Sequence, residues 1–596
     1  MKFLRRPEGW TGILAFLVRL WFLERLADSP FFEPIPGGND RNLYDALAQR
    51  VAQGSIFPPG VFESMPLYPC FLGLIYALAG PNLYCAGLIG ALLDTATTML
   101  LARLAIRCGA SKAAAAFAAL LYAFYPTAII YSVMTMPNTL NAFLLALFAT
   151  VCVLWTEKDD PQKSIKHQAS TINQFSGWFG LGLLAGVITL GFAGMLLVAL
   201  ACGFYWIWKQ IRNSEFEIRN WAGFLLGVAL PILPVTLHNW RAEHRFVLVT
   251  AHGGFNFYMG NHESATGYPV QIEGFRGDAG SLLADARAEA ERIEGRKLSA
   301  AEFSAHWSHR AWTWIFVNPM DAIKLFGLKF IKFWNRFEYD DMRLLPMLRL
   351  GNVAFDSPFW PGFGWIGWLG LAGLIRARGC GLIRVITLSG MVGVLGFFVT
   401  ARYRLTFAPL LGALGALGSM EVYRALLEIK KANFRIQSLK PASPLLVLGV
   451  AGLIVCFPSA QSDFRALDHY NTAAYLMARG MPGEALELAQ AGIAREKTYP
   501  DLYFVAGNAF LALGKIREAV VAYEMTVRLK PSHASAHNNL AFVYLKLKDP
   551  VSAAREAALA LKFDPRHSHA KQLLEKASLD IEKSAPRKIT AEELGK

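Results

Sequence analysis

The chain has 596 residues, 54% of them apolar, and a mean hydropathy of +0.32, which excludes an ordinary soluble protein. The net charge of +14 does not point to nucleic acid. Lys and Arg gather in short loops between apolar segments, where membrane proteins carry cytoplasmic anchors, and they form no binding face.

Residues 10–26 form the first apolar stretch, preceded by Lys2, Arg5 and Arg6 and followed by no small-residue cleavage site. A retained transmembrane helix with its N-terminus inside is expected. The Pro/Gly-rich stretch 31–69 comes next and encloses a short amphipathic helix at 42–53. The apolar run 67–79 is shorter than the roughly 20 residues of a span. Reading it as a juxtamembrane helix lets 83–106 cross inward and places Arg103, Arg107 and Lys112 inside, as the charge rule requires.

Further spans are expected at 113–130, 140–155, 178–190, 192–208, 221–237, 360–375, 385–399, 405–422 and 445–457. Basic loops such as Lys158–Lys163–Lys166 and Lys430–Lys431–Arg435–Lys440 mark the inner side. The total is about eleven crossings. The polar segment 238–358 then lies outside, with a helical stretch at 284–314. It also holds an amphipathic helix at 322–334, whose Lys324, Lys329 and Lys332 suit anionic headgroups. The seven cysteines lie in or beside apolar segments without CxxC spacing and read as buried packing residues, not metal or redox groups.

From about Arg465 the sequence repeats every 34 residues, the period of tetratricopeptide helix–turn–helix units. Ala485, Ala519 and Ala553 share one register, as do Leu476, Phe510 and Tyr544. Gly480 and Gly514 mark the first two turns, with Lys548 in the third. The fold class expected is all-α: a polytopic membrane domain at 1–460, with outer loops 28–82 and 238–358, then an α-solenoid at 465–580 and a polar tail at 581–596.

Asp40 follows Gly37, Gly38 and Asn39, and taken alone it reads as an N-cap or turn acid. Glu63 follows the Pro58–Pro59 turn, where a solvated acid and a sugar or metal ligand are both open. Arg402 and Arg404 stand where a span meets the outer surface, as phosphate partners or as snorkelling anchors. Asn261 and His262 close the segment AHGGFNFYMGNH, in which the Gly pair permits a close backbone approach. Glu338 in FWNRFEYDD faces a cavity or balances nearby Lys. Asp94, within a span beside Thr95, Thr97 and Thr98, is a candidate by position or is held by those hydroxyls.

GGNDRNLYDALAQRVAQG followed by PPGVFESMPLYPCFLGLIYALAG resembles the first outer loop of the C superfamily of glycosyltransferases (GT-C), which includes protein O-mannosyltransferases and aminoarabinose transferases. HNWRAEHRFVLVTAHGGFNFYMGNHESATGYP, FWNRFEYDD and FFVTARYRLTFAP are similar to later segments of its bacterial members, in the same order, so the resemblance covers 1–458. It implies transfer of a sugar from a polyprenyl-phosphate donor to a protein or glycan acceptor on the extracytoplasmic face of the inner membrane. Asp40 would be the catalytic base, with Tyr44, Glu63, Asn261, His262, Glu338, Arg402 and Arg404 as substrate-binding candidates. The repeats would recruit the acceptor. The chain departs from the pattern at Arg41, where O-mannosyltransferases carry a second acid, and at Met134 and Met136, where relatives place Glu or Asp. No essential metal is therefore expected, although a divalent ion is compatible with Glu63. A non-catalytic GT-C scaffold in an envelope assembly complex is the alternative.

Overall fold

The computed structural model describes residues 6–34, 40–156, 171–212, 217–269, 272, 279–355, 357, 359–376, 380–431, 444–457, 465–565 and 567–584. Gly37, Gly38, Asn39, Lys158, Lys163, Lys166, Arg378, Arg435, Lys440 and most of the expected polar tail lie outside the described residues. Every regular element among those described is helical. Two compact units emerge: Met1–Leu345 with Ala354–Ala460, and Pro346–Val353 with Gln461–Lys596.

The first unit begins with α1 (Pro7–Ala27), α2 (Asp40–Ala52), α3 (Leu67–Ala79), α4 (Leu83–Arg107), α5 (Lys112–Ala123) and α6 (Pro126–Val133). It continues with α7 (Asn138–Thr156), α8 (Thr171–Gly191), α9 (Met195–Arg212) and α10 (Ile218–Glu243). Among the described residues, four helices are long and apolar enough to cross a membrane: α4, α7, α10 and the stretch Ala408–Leu427. The expected single span at 113–130 is instead two helices bent by 59°. Pro126 causes the break, because it starts α6 at a position where its missing N–H costs nothing and cannot continue α5. Counting that bent pair as one span gives up to five among the described residues, by length and composition. The expected spans at 178–190, 360–375, 385–399 and 445–457, and α3, appear as shorter apolar helices, whereas the helices over the expected spans at 10–26 and 192–208 are not apolar enough to count by that measure.

Between α10 and the later apolar helices lie α11 (Gly253–Gly260), α12 (Ala279–Glu294), α13 (Ala300–Val317), α14 (Pro319–Trp334) and α15 (Leu344–Leu350), whose residues from Pro346 on belong to the second unit. Phe255, Ala286, Ala290, Phe303 and Trp307 give α11–α13 a core of their own. Ser299 and Glu302 form a capping box that starts α13, and Glu243 accepts from the next two N–H groups, Ala300 and Ala301. The unit ends with α16 (Phe363–Arg376), α17 (Gly381–Leu395), α18 (Ala401–Leu405), α19 (Ala408–Lys431) and α20 (Pro444–Val455). The most extensive pairings are α8 with α10 and α16 with α19.

Two sequence expectations change here. Lys324 on α14 is exposed, but Lys329 and Lys332 are buried, so only one of the three amines is placed to meet headgroups. The outward face of the α13–α14 corner is apolar instead, through Phe316, Val317, Met320 and Ile323. Asp94 is held mainly by Arg19 of α1 and by the Tyr122 hydroxyl at 2.6 Å. Of its neighbours, Thr98 bonds the Asp94 carbonyl, while Thr95 and Thr97 bond other carbonyls of α4.

The second unit is a run of helix pairs: α21 (Arg465–Ala478), α22 (Pro482–Arg495), α23 (Pro500–Ala512), α24 (Ile516–Leu529), α25 (Ala534–Lys546) and α26 (Pro550–Phe563), closed by α27 (Ser568–Ser584). Each helix packs on the next in order. The turns within the pairs pass through Gly480 (φ 71°), Gly514 (φ 76°) and Lys548 (φ 61°), all left-handed. The register alanines Ala485, Ala519 and Ala553 are fully buried, where only a small side chain lets paired helices approach.

Candidate active site

Asp40 opens α2, and α2 is placed by α3. Ala48, Tyr68, Leu72 and Tyr76 form their shared core, with Tyr44 against it, and Asp45 accepts from the Tyr76 hydroxyl at 2.6 Å. Arg41, one of the departures from the resembled pattern, is buried and donates to the Phe31 and Phe32 carbonyls. Its role is to fold the preceding chain back onto α2. Met134 and Met136 are likewise buried.

The partner of Asp40 comes from far along the chain. The segment before α18 is strapped down by two backbone hydrogen bonds, Val399 N–H to the Gly267 carbonyl and Ala401 N–H to the Tyr339 carbonyl. Thr400 caps α18 by accepting from Tyr403 N–H. Arg402 then reaches out with both terminal nitrogens: Nη1 lies 2.6 Å from Asp40 Oδ2 and Nη2 lies 2.7 Å from Asp341 Oδ2. The Arg402 carbonyl is fixed by Asn138 Nδ2 at 2.9 Å. Side-chain exposure is 32% for Asp40, 14% for Arg402 and 13% for Asp341, so Asp40 is the open end of the trio.

Asp341 is presented by a turn that Asp340 closes. The Asp340 carboxylate accepts from Met342 N–H, Leu345 N–H and the Tyr131 hydroxyl. Asp341 Oδ1 and Arg402 Nε are buried without a hydrogen-bond partner among the described residues. Burial pushes the Asp341 carboxyl up to about 6, with Arg402 opposing the rise and Asp340 and Asp40 adding to it. Tyr44 belongs to the same site: burial and then the Asp40 carboxylate push its phenol well up, against the pull of Arg402.

A second cluster is built where segment 60–63 is stitched to segment 247–251. Asn239 accepts from Phe62 N–H and donates to the Val247 and Val249 carbonyls, Ala251 N–H donates to the Phe62 carbonyl, and Thr250 donates to that of Glu63. The stitching sets Glu63 3.9 Å from His252 Nε2 and 3.8 Å from Arg287 Nη2. Burial holds His252 below the usual imidazole range; Glu63 opposes this, Arg287 adds to it, and the field of Asp40 also opposes it.

The remaining candidates sit elsewhere. Glu338 is satisfied by the hydroxyls of Tyr125 and Thr127 and by Phe363 N–H. Arg404 is buried and donates to the carbonyls of Lys332, Phe333, Asn335 and Phe337, 4.0 Å above the Phe363 ring. Asn261 is buried, donates to the Phe257 and Gly396 carbonyls, and accepts from Lys329 Nζ at 2.9 Å. His262 is buried against Tyr258 and takes Ser264 N–H on Nδ1. The glycines of this stretch permit close approach: a Cβ on Gly254 would strike the Ser304 carbonyl and one on Gly260 the Phe397 carbonyl. Among the described residues no three His, Cys, Asp or Glu side chains are grouped to hold a metal ion.

Of the eight sequence candidates, the structure thus brings Asp40, Tyr44 and Arg402 together and sets Glu63 in the adjoining cluster. It adds Asp341, His252 and Arg287, which sequence reasoning misses. The double acid at 340–341 is the available signal for the first, inside a stretch where Glu338 draws the attention. His252 and Arg287 are ordinary loop and helix residues until the fold pairs them with Glu63.

A family model described as TPR repeat matches residues 507–548. The C-terminal unit is a tetratricopeptide-repeat stack. No curated protein matches the chain. Among solved structures, the apo oligosaccharyltransferase of Archaeoglobus fulgidus is similar at 14% identity with a TM-score of 0.38, over 78% of this chain and 58% of that one. The Cut9–Hcn1 hetero-tetramer of the APC/C is similar at 11% identity with a TM-score of 0.20, over 90% of this chain and 96% of that one. The chain therefore spans 58% of the archaeal enzyme's length.

Proposed function

We propose that this is a membrane glycosyltransferase that moves a sugar from a polyprenyl-phosphate donor to an extracytoplasmic acceptor. The observation that carries the reading is the Arg402 guanidinium bound to Asp40. It sets a partly exposed carboxylate beside a cation that is suited to phosphate. That pair joins two of the segments through which the sequence resembles the GT-C superfamily.

In the reaction, an Asp40 oxygen takes the proton of the acceptor hydroxyl. The hydroxyl oxygen forms its bond to the anomeric carbon as the bond from that carbon to the phosphate oxygen breaks. The leaving electron pair stays on the lipid phosphate, whose charge Arg402 stabilises. A single displacement of this kind inverts the anomeric configuration. The site opens on the outer face of the inner membrane, the membrane domain spans 1–460, and the repeats at 465–580 present the acceptor.

The test is transfer of radiolabelled sugar from a panel of polyprenyl-phosphate donors by the purified full-length protein. Asp40→Asn should abolish transfer while the thermal unfolding transition is kept. Retained transfer removes Asp40 as the base. No transfer from any donor by the wild-type protein favours the scaffold reading.

A further inference from the structure

The trio at Arg402 contains two carboxylates and one guanidinium, so it carries a net negative charge when both acids are ionised. Such a site repels the anionic phosphate that the proposed reaction must bind. Both terminal nitrogens of Arg402 are already occupied, one by Asp40 and one by Asp341. The two acids are not equivalent. Asp40 faces the open side, whereas Asp341 is largely closed off and leaves its Oδ1 without a partner among the described residues. A buried carboxylate with one unsatisfied oxygen is held at a cost. That cost offsets part of what its bond to Arg402 contributes, so an anion that takes over this nitrogen gives up less than the full worth of the bond. The backbone of Arg402 meanwhile stays fixed through Asn138, so the guanidinium changes partner without leaving the site.

We infer that the Asp341 carboxylate occupies the position of the donor phosphate on Arg402 and competes with it, so that Asp341 gates donor binding while Asp40 keeps its hold on the same guanidinium. Asp341 is thus a positioning residue for Arg402. The inference rests on the reading of Arg402 as the phosphate-binding group. It also explains why a second acid stands here although positions 41, 134 and 136 carry none: its partner is the arginine.

The gate has a pH dependence. The groups whose charge Asp341 feels or influences are Asp340 and Tyr339 on its own segment, Asp40 on α2, Tyr131 on α6, and Arg402 and Tyr403 on α18. The tyrosines stay neutral through the acidic range, far below the ordinary phenol value near 10. Burial pushes Tyr339 and Tyr403 further up still. Burial pushes the Asp341 carboxyl up to about 6, so acidification through that range neutralises it and loosens its hold on one nitrogen of Arg402.

The experiment measures binding of undecaprenyl methyl phosphate to the full-length protein in detergent. This lipid phosphodiester keeps one negative charge across the range, as the donor does. At about pH 7.5, Asp341→Asn is expected to bind it roughly tenfold more tightly than wild type, the effect of one charge-assisted hydrogen bond. The advantage should vanish near about pH 5, because wild-type affinity rises as pH falls through the Asp341 pKa. Equal or weaker binding by Asp341→Asn, with wild type indifferent to pH, overturns the inference. If Asp341→Asn loses its cooperative unfolding transition, His252→Ala removes the neighbouring group that also titrates. Tightening on acidification in that variant then supports the gate, and its absence overturns it. Arg402→Gln separates the two readings. If it binds the lipid as well as wild type does, Arg402 is not the phosphate group and the parent reading of that residue fails as well. If it binds weakly while Asp341→Asn matches wild type, only the gate fails.

Discussion

Arg19 of α1 and Asp94 of α4 pair inside the membrane unit with side-chain exposures of 0% and 1%. The guanidinium is further held by the Ala15 and Ala123 carbonyls, and the carboxylate by the Tyr122 hydroxyl. Removing one partner leaves the other charge buried, which costs about 3–5 kcal/mol, whereas apolar replacement of both is near neutral. Asp94→Asn is therefore expected to lower the unfolding temperature in detergent markedly. The double variant Arg19→Met, Asp94→Leu should recover most of the loss. If the single variant melts with wild type, the pair is not holding α1 to α4.

The same pair shows what sequence makes legible. Apolar run length locates most helices of the membrane part, and the 34-residue register locates the repeats, because both are properties of local chemistry. Arg19 reads as a flaw in a span and Asp94 as a lone intramembrane acid, since nothing in either neighbourhood states that they meet across 75 positions. The bend at Pro126 has its signal in the proline, but the continuous apolar run around it masks the break. At the site, Asp40 and Arg402 are visible as residue types in suggestive loops. Arg404, two residues on, offers the same chemistry and is consumed by four backbone carbonyls. Which of two arginines faces a carboxylate is decided by helical phase and by the strap through Gly267 and Tyr339.

Arg402→Lys tests whether the fork matters beyond the charge. An ammonium is a compact point charge and does not span two carboxylates as a planar guanidinium does. In the transfer assay, kcat/KM is expected to fall roughly tenfold to a hundredfold, the worth of one lost charge-assisted bond. A variant with wild-type kinetics would show that bidentate geometry is not used.

Gly260→Ala probes the seat of the strap. A methyl group there collides with the Phe397 carbonyl, which is backbone and has no rotamer to yield. Asn261, the next residue, is bonded to the Gly396 carbonyl, so α11 and the approach to α18 move as one. The variant is expected to be less stable by about 1–3 kcal/mol, as overpacked sites are. Transfer should drop by more than the loss of folded protein explains, because Arg402 is displaced. Full activity per folded molecule would place the strap outside the determinants of the site.

Lys329 and Lys332 give a pH signature that is separate from the site. Both are buried, Lys329 against Asn261 and Lys332 against the Thr266 carbonyl and the Tyr268 ring, which its Nζ approaches to 3.6 Å. Burial lowers their pKa values to about 7 and about 8. A lysine depressed in the folded state takes up its proton there only at lower pH than in the unfolded chain. Between the folded values and the ordinary lysine value near 10.4, the unfolded state thus holds more protons, and stability rises with pH. The protein should melt at a higher temperature at about pH 9 than at about pH 7. Lys329→Met removes the desolvated amine, so it is expected to melt higher than wild type near neutrality and to show a flatter dependence. A steeper dependence in the variant, or stability that falls with rising pH in both proteins, would mean that these amines stay hydrated and charged in the fold.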